Sequence, residues 1–131
     1  MQMRYIILAV PTPVALHSHA SSVPVFNGLN FSNWSEQIRF HLGVLDLDSA
    51  LEVEEPAITD TSSAAEKSAH NAWVKSNKLS LMFMRMSVAD NIKSTIPKTE
   101  SVKEFMNSVK ERSQTADKSV AGTLATDHHE I

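Results

Sequence analysis

The segment that most constrains the fold is residues 63–87, because it contains neither glycine nor proline. These two residues most often interrupt or end a helix, so their absence favours one long helix over this range. A helix that is apolar on several sides is normally surrounded by other helices. The segment therefore predicts a helical bundle with this helix near its centre. Its later apolar residues are Trp73, Leu79, Leu81, Met82, Phe83, Met84 and Met86.

The methionine-rich end of this helix has two interpretations. Met82, Met84 and Met86 can fill a core, because a flexible thioether adapts to irregular gaps. The same side chains can form a surface that binds varied partners. We expect the core role, and the alternative is a groove that binds partner peptides.

Capping signatures predict shorter helices around the long one. In each of three places, Asn or Ser stands three positions before an acidic residue and at the start of an apolar stripe with helical spacing. Pro97 ends the second of these helices. The fold class that we predict is all-α, a bundle of about four to six helices. The capping pairs are Asn33 with Glu36, Ser87 with Asp90, and Ser101 with Glu104.

One turn signal precedes these helices. Asn27-Gly28 can supply the positive φ angles of a tight turn, so a very short hairpin can form over residues 25–31. A two-stranded hairpin is unstable alone, and its two Phe side chains should therefore lie on the next helix. Trp34 heads the apolar stripe of that helix and is predicted, with Trp73, to be a core residue. The alternative for Trp34 is an exposed aromatic side chain that binds a ligand.

Residues 1–24 contain Pro11, Pro13 and Pro24 and lack a helical period. We expect them to form a disordered or loosely packed leader. The apolar run YIILAV resembles a short secretory signal, but prolines interrupt it at once. It is also too short to span a bilayer. We therefore expect a cytoplasmic protein without a membrane partner, and the alternative is a secretory signal at residues 1–20.

Composition argues against several kinds of site. The chain has no Cys, which excludes disulfides, thiol nucleophiles and cysteine-based zinc sites. It has 3 Gly and no glycine-rich phosphate-binding motif. Its 12 basic residues face 15 acidic ones, which gives a net charge of −3 and no electrostatic basis for RNA binding. We predict no cofactor, no small-molecule substrate and no strong RNA binding.

No catalytic or metal site is predicted from the remaining polar residues. Glu54 and Glu55 are sequence neighbours and cannot flank a sugar as a glycosidase pair must. Asp127 to Glu130 reads DHHE and contains metal-ligand types, but adjacent histidines point to different sides of a helix. His41 and His70 fall on separate predicted helices. We therefore predict that the chain is not an enzyme and has no catalytic, cofactor-binding or metal-binding residue.

Residues 26–51, FNGLNFSNWSEQIRFHLGVLDLDSAL, resemble the opening of the Gag polyproteins of plant copia-type LTR retrotransposons. The later stretches AWVKSNKLSLMFMRMSVADNIKSTI and ESVKEFMNSVKERS are similar to the Trp-led helix and the Lys-Glu helix that follow in that family. The resemblance lies in the order of these elements, since each alone is only a hydrophobic pattern. The residues proposed as the family-motif core are Phe26, Gly28, Phe31, Trp34, Leu42, Leu45, Leu51, Trp73, Leu81 and Phe105.

The resemblance implies a capsid-like helical domain over residues 25–125 that associates with copies of itself, followed by a polar tail at 126–131. Family members usually continue through more helices and a Cys-Cys-His-Cys zinc knuckle that binds RNA. This chain has no Cys, so we expect a Gag-like fragment without the knuckle, whose partner is a second copy of itself. The alternative function is a small helical adaptor that binds partner peptides through the methionine-rich groove.

Overall fold

The computed structural model describes residues 12–113, and this part of the chain is built from helices. Within it there is no strand, and the isolated backbone bridge joins Phe26 to Val88. The prediction of an all-α bundle is confirmed. The helices are α1 Pro13–Ser21, α2 Phe31–Val44, α3 Ser49–Glu52, α4 Ala64–Met86, α5 Asp90–Lys93, and α6, which spans 102–113 up to the end of the described range.

The long helix α4 begins where a capping box fixes its first turn. The Ser63 hydroxyl accepts a hydrogen bond from the Glu66 N–H at 3.1 Å, and the Glu66 carboxylate accepts one from the Ser63 N–H at 2.9 Å. This box has the Ser-x-x-Glu spacing of the predicted ones, but it was not among them. The helix matches the predicted range of 63–87 closely. Only its second half is central, because Ala64 to Ala69 are exposed.

Trp34 joins α2 to the end of α4. Its side chain is fully buried, and the rings of Phe26 and Phe31 lie with centroids 5.5 and 6.0 Å from its own. The indole N–H donates to the Ser87 carbonyl at 3.0 Å and lies 3.2 Å from the Ser87 hydroxyl. Buried indole N–H groups need such a partner. The prediction that Trp34 is a core residue is confirmed.

The predicted hairpin over residues 25–31 is wrong. Phe26 pairs with a distant segment, since its N–H donates to the Ser87 carbonyl at 2.8 Å and its carbonyl accepts from the Ala89 N–H at 3.2 Å. The chain reverses after Phe26 through Gly28, whose φ is 97°. Asn30 holds this turn by accepting from the Asn27 N–H at 2.9 Å. The turn therefore leads directly into α2 and not into a second strand.

Two of the predicted capping boxes are also wrong, and one is half formed. Helix α2 begins at Phe31, before Asn33, and α5 has Ala89 at its N-cap without a side-chain cap. The Ser87 hydroxyl instead donates to the Met84 carbonyl. At α6 the Ser101 hydroxyl accepts from the Glu104 N–H at 3.3 Å, but the Glu104 carboxylate accepts from the Thr99 hydroxyl.

Two serines on α4 hold the chain between α2 and α3. Ser76 and Ser80 are buried, and both hydroxyls donate to the Leu47 carbonyl, at 2.7 and 2.5 Å. The Ser76 hydroxyl also accepts from the Ala50 N–H at 3.1 Å. A buried carbonyl outside any helix needs such donors. No buried side-chain N or O atom within residues 12–113 lacks a hydrogen-bond partner.

The residues proposed as the family-motif core occupy three kinds of environment. Phe31, Leu45 and Trp73 are partly buried and pack against the core. Trp73 is thus less buried than predicted, and its indole N–H donates to the Val53 carbonyl at 3.0 Å. Gly28 has the positive φ expected of a tight turn. The fully or nearly fully buried members are Phe26, Trp34, Leu42, Leu51, Leu81 and Phe105.

Helix α1 differs from the loosely packed leader that was predicted over residues 1–24. The Thr12 hydroxyl accepts from the Ala15 N–H at 3.0 Å, and Pro13 occupies the first turn, where a missing N–H costs nothing. Leu16 and Ala20 are buried in the core. The prediction is wrong for residues 12–24, because Pro13 starts a helix there.

Three predicted segments lie outside the described residues. They are residues 1–11 of the leader, the end of the predicted domain at 114–125 and the tail at 126–131.

We predict that Trp34→Ala lowers the free energy of unfolding by about 3–5 kcal/mol, the usual cost of deleting a large buried aromatic side chain. Because whole domains are stable by about 5–15 kcal/mol, the loss should be visible as an early transition in urea. Circular dichroism measures it. Trp73→Ala is the matched control and should cost less, since this indole is only partly buried. An equal loss in the two variants would contradict this account of the core.

Candidate interaction surfaces

A groove of about 930 Å³ runs between the second half of α4 and the chain that leads into α6. Its apolar lining comes from Val74, Leu81 and Met82, all on α4. Its rim is charged, with basic residues on α4 facing acidic residues beyond Lys98. The charged lining residues are Lys78, Arg85, Lys98, Glu100 and Glu104.

Side chains of α4 form hydrogen bonds with backbone groups of the far wall of this groove, which is the segment that leads into α6. Asn77 donates to the Glu100 carbonyl at 2.6 Å and accepts from the Val102 N–H at 2.9 Å. Arg85 donates to the Thr99 carbonyl at 3.0 Å. Long polar side chains thus connect the wall to α4, and the space between them is the groove.

The methionine-rich end of α4 divides between the core and the surface. Phe83 and Met84 are fully buried, whereas Met82 is 47% and Met86 42% exposed. Successive residues of a helix point about 100° apart, so a continuous apolar run cannot all face one core. The expected core role is therefore right for Phe83 and Met84 and wrong for Met82 and Met86. Met82 lies in the groove, where the alternative interpretation places a partner peptide.

A second apolar surface lies on the outer side of α2. Phe40 is 61% and Val44 58% exposed. They are four residues apart, so they are neighbours on the helix surface. The opposite side of α2 carries the buried Trp34, Ile38 and Leu42. We call Phe40 and Val44 the outer pair. No prediction from the sequence included this pair, although both residues interrupt the polar side of α2.

The adjacent residues Glu54 and Glu55 in the α3–α4 loop have different partners. Glu54 accepts from the Lys103 ammonium group at 2.6 Å, and Glu55 lies 2.9 Å from Nε2 of His70. They therefore do not form a carboxylate pair that faces a common substrate. Residues 12–113 contain no group of three or more potential metal ligands. The DHHE stretch at 127–130 lies outside the described residues.

Several basic side chains are paired with carboxylates. Arg39 lies 2.6 Å from Glu52, and Lys93 lies 3.4 Å from Asp90. Both pairs are largely exposed, so each contributes little to stability. Together with the Lys103–Glu54 pair, these contacts place positive and negative charges side by side on the surface.

Within residues 12–113, no helix combines the length and the apolarity that crossing a bilayer requires.

Comparison of the chain with known protein families, with curated proteins and with solved structures finds no match. The resemblance to copia-type Gag polyproteins therefore stays a prediction.

We predict that Asn77→Ala loosens the far wall of the groove, because it removes the bonds to the Glu100 carbonyl and the Val102 N–H. Loss of such a side-chain clamp should cost about 1–3 kcal/mol. Hydrogen exchange should accelerate in residues 98–103 more than in the core of α4. Asn71→Ala is the matched control, since Asn71 is an exposed residue of the same helix. Equal acceleration in both variants would contradict the clamp.

Proposed function

We propose that this chain is a non-enzymatic structural module similar to the capsid-like part of copia-type Gag polyproteins, and that it works by associating with copies of itself. The order of the helices and the sequence resemblance support the proposal at the level of fold. The observation that carries it is the outer pair on α2. Phe40 and Val44 expose adjacent apolar surface on a helix whose other side is anchored in the core.

Exposed apolar side chains are common singly, but adjacent large ones are a feature of association surfaces. A helix face suits this role, because its side chains keep a fixed spacing and can pack against the same face of a second copy. A two-fold contact uses one patch twice and needs no second complementary surface. The outer pair would form the apolar centre of such a contact.

We predict concentration-dependent homo-association of the full chain in light scattering, and a weaker association of Phe40→Glu. Placing a carboxylate at the centre of an apolar contact should raise the dissociation constant at least about tenfold, which corresponds to about 1.4 kcal/mol. Ile58→Glu is the control, because it adds the same charge at an exposed apolar residue in the α3–α4 loop. It should associate like the unaltered chain.

A chain that stays monomeric at every accessible concentration would overturn the proposal, and so would equal weakening by the two variants. A monomer would favour the second candidate, an adaptor that binds partner peptides. The groove beside α4 supports that candidate, since Met82, Leu81 and Val74 line it with apolar surface. Flexible methionine side chains suit varied partners.

We further predict that this chain does not bind single-stranded RNA strongly. Affinity for phosphate backbones depends on clustered basic residues, and here Arg39, Lys93 and Lys103 each lie beside a carboxylate. Fluorescence anisotropy at about 0.15 M salt, where the screening length is about 8 Å, should give no submicromolar affinity. The double variant Glu100→Lys, Glu104→Lys supplies a positive control. It should gain salt-dependent binding, because Lys78, Arg85 and Lys98 line the same groove.

A further inference from the structure

Helix α1 is attached to the bundle through few groups. Its buried side chains are Leu16 and Ala20, and Val23 follows just beyond its end. A helix of 9 residues is not stable alone in water, so α1 depends on its contacts with the bundle. The polar contact between α1 and α2 is a pair of histidines, His19 and His41.

The two imidazole rings meet edge to face, with centroids 5.0 Å apart. Their Nδ1 atoms are 2.7 Å apart, which is the distance of a hydrogen bond. In such a bond one Nδ1 donates its proton and the other accepts with its lone pair. The bond exists when both rings are neutral. It also exists when one ring is an imidazolium, which then acts as the donor.

The bond cannot exist when both rings are protonated. Each Nδ1 then carries a hydrogen, neither has a lone pair, and two positive charges face each other. Because the pair is part-buried, water screens this repulsion only partly. The pair can therefore hold one proton while α1 is docked, and a second proton requires the rings to separate.

We propose that the His19–His41 pair is a pH-sensitive latch that holds α1 on the bundle near neutral pH and releases it as the pH falls. The two other rings beside His41 within residues 12–113 are uncharged. On α4 it faces the ring of Phe83, at 6.3 Å between centroids, and on α2 the ring of Phe40, at 5.2 Å. His17, the other titratable residue of α1, is exposed. The α2 residues one turn from His41 are uncharged, namely Gln37, Ile38, Val44 and Leu45.

The direction of the effect follows from proton binding. Burial, and then the charge of His19, lower the pKa of His41 from its ordinary value of 6.5. The docked state therefore binds fewer protons than the undocked state, in which His41 recovers the ordinary pKa. Docking is at full strength above about pH 6.5 and is lost as the pH falls from there through the lowered pKa of His41.

The test is hydrogen exchange of the full chain at pH 7.5 and pH 5.5, with protection factors corrected for the intrinsic rate. Complete exclusion of one proton from a group with a pKa of 6.5 would shift the docking equilibrium about tenfold between these pH values, which is the upper bound of the effect. Protection of residues 16–21 should fall severalfold, within that bound. Protection of the α4 core, residues 81–84, should stay constant.

Two variants separate the latch from a general effect of acid. His19→Gln replaces one ring with an amide, which can accept from an imidazolium or donate to a neutral imidazole. Its α1 should lose less protection than that of the unaltered chain over the same pH range, because burial still lowers the pKa of His41 but no second imidazolium faces it. His17→Gln makes the same change at the exposed histidine of the same helix and should behave like the unaltered chain.

An unaltered chain whose α1 protection does not change with pH would overturn the proposal. Equal behaviour of the two variants, or a parallel loss of protection in residues 81–84, would also overturn it. If circular dichroism shows that His19→Gln does not fold, the reciprocal variant His41→Gln gives the same comparison from α2. A loss of α1 protection that is as large in that folded variant as in the unaltered chain would again contradict the latch.

Discussion

The backbone carbonyl of Ser87 is the point on which the arrangement of this bundle depends. It accepts one hydrogen bond from the Phe26 N–H at 2.8 Å and another from the Trp34 indole at 3.0 Å. Ser87 is the first residue beyond α4, so its carbonyl is one that the helix itself leaves without a partner. The end of the longest helix, the turn before α2 and the first turn of α2 thereby meet at one buried atom. Replacing Trp34 would remove one of these two donors, and the carbonyl would keep the bond from the Phe26 N–H.

The same device occurs again at the Leu47 carbonyl, which accepts from Ser76 and Ser80. In both places a carbonyl that belongs to no helical ladder is buried, and other segments supply its donors. At Ser87 these are a backbone N–H and an indole, and at Leu47 they are two serine hydroxyls of α4. These bonds have directions, whereas the apolar contacts around them do not. Apolar burial favours many compact arrangements of helices, and the directed bonds select the one in which α2 and α3 lie at fixed positions along α4.

The sequence predicted the features that depend on residue spacing within one helix, but it did not predict contacts between distant segments. The range of α4 and the burial of Trp34 follow from local composition and periodicity. The hairpin prediction failed because the partner of Phe26 is Val88, far along the chain. The burial of Ser76 and Ser80 could not be predicted either. The sequence of α4 does not indicate that a carbonyl from another segment, that of Leu47, lies beside these two serines. For the groove, the methionine cluster was visible in sequence, but the Asn77 clamp that forms its far wall was not.

The two apolar surfaces differ in the rigidity of the elements that carry them, and this difference bears on function. The outer pair stands on α2, whose opposite side is held by Trp34 and two further buried side chains. A surface on such an element keeps its shape, as repeated contacts between identical copies require. The groove has one rigid wall, α4, while its other wall is a non-helical segment held by side chains from Asn77 and Arg85. The hydrogen bonds of that wall run to side chains of α4, and none of them reaches the Ser87 or Leu47 carbonyls. The outer pair therefore suits a contact between identical copies of the chain, and the groove suits a site for partner peptides.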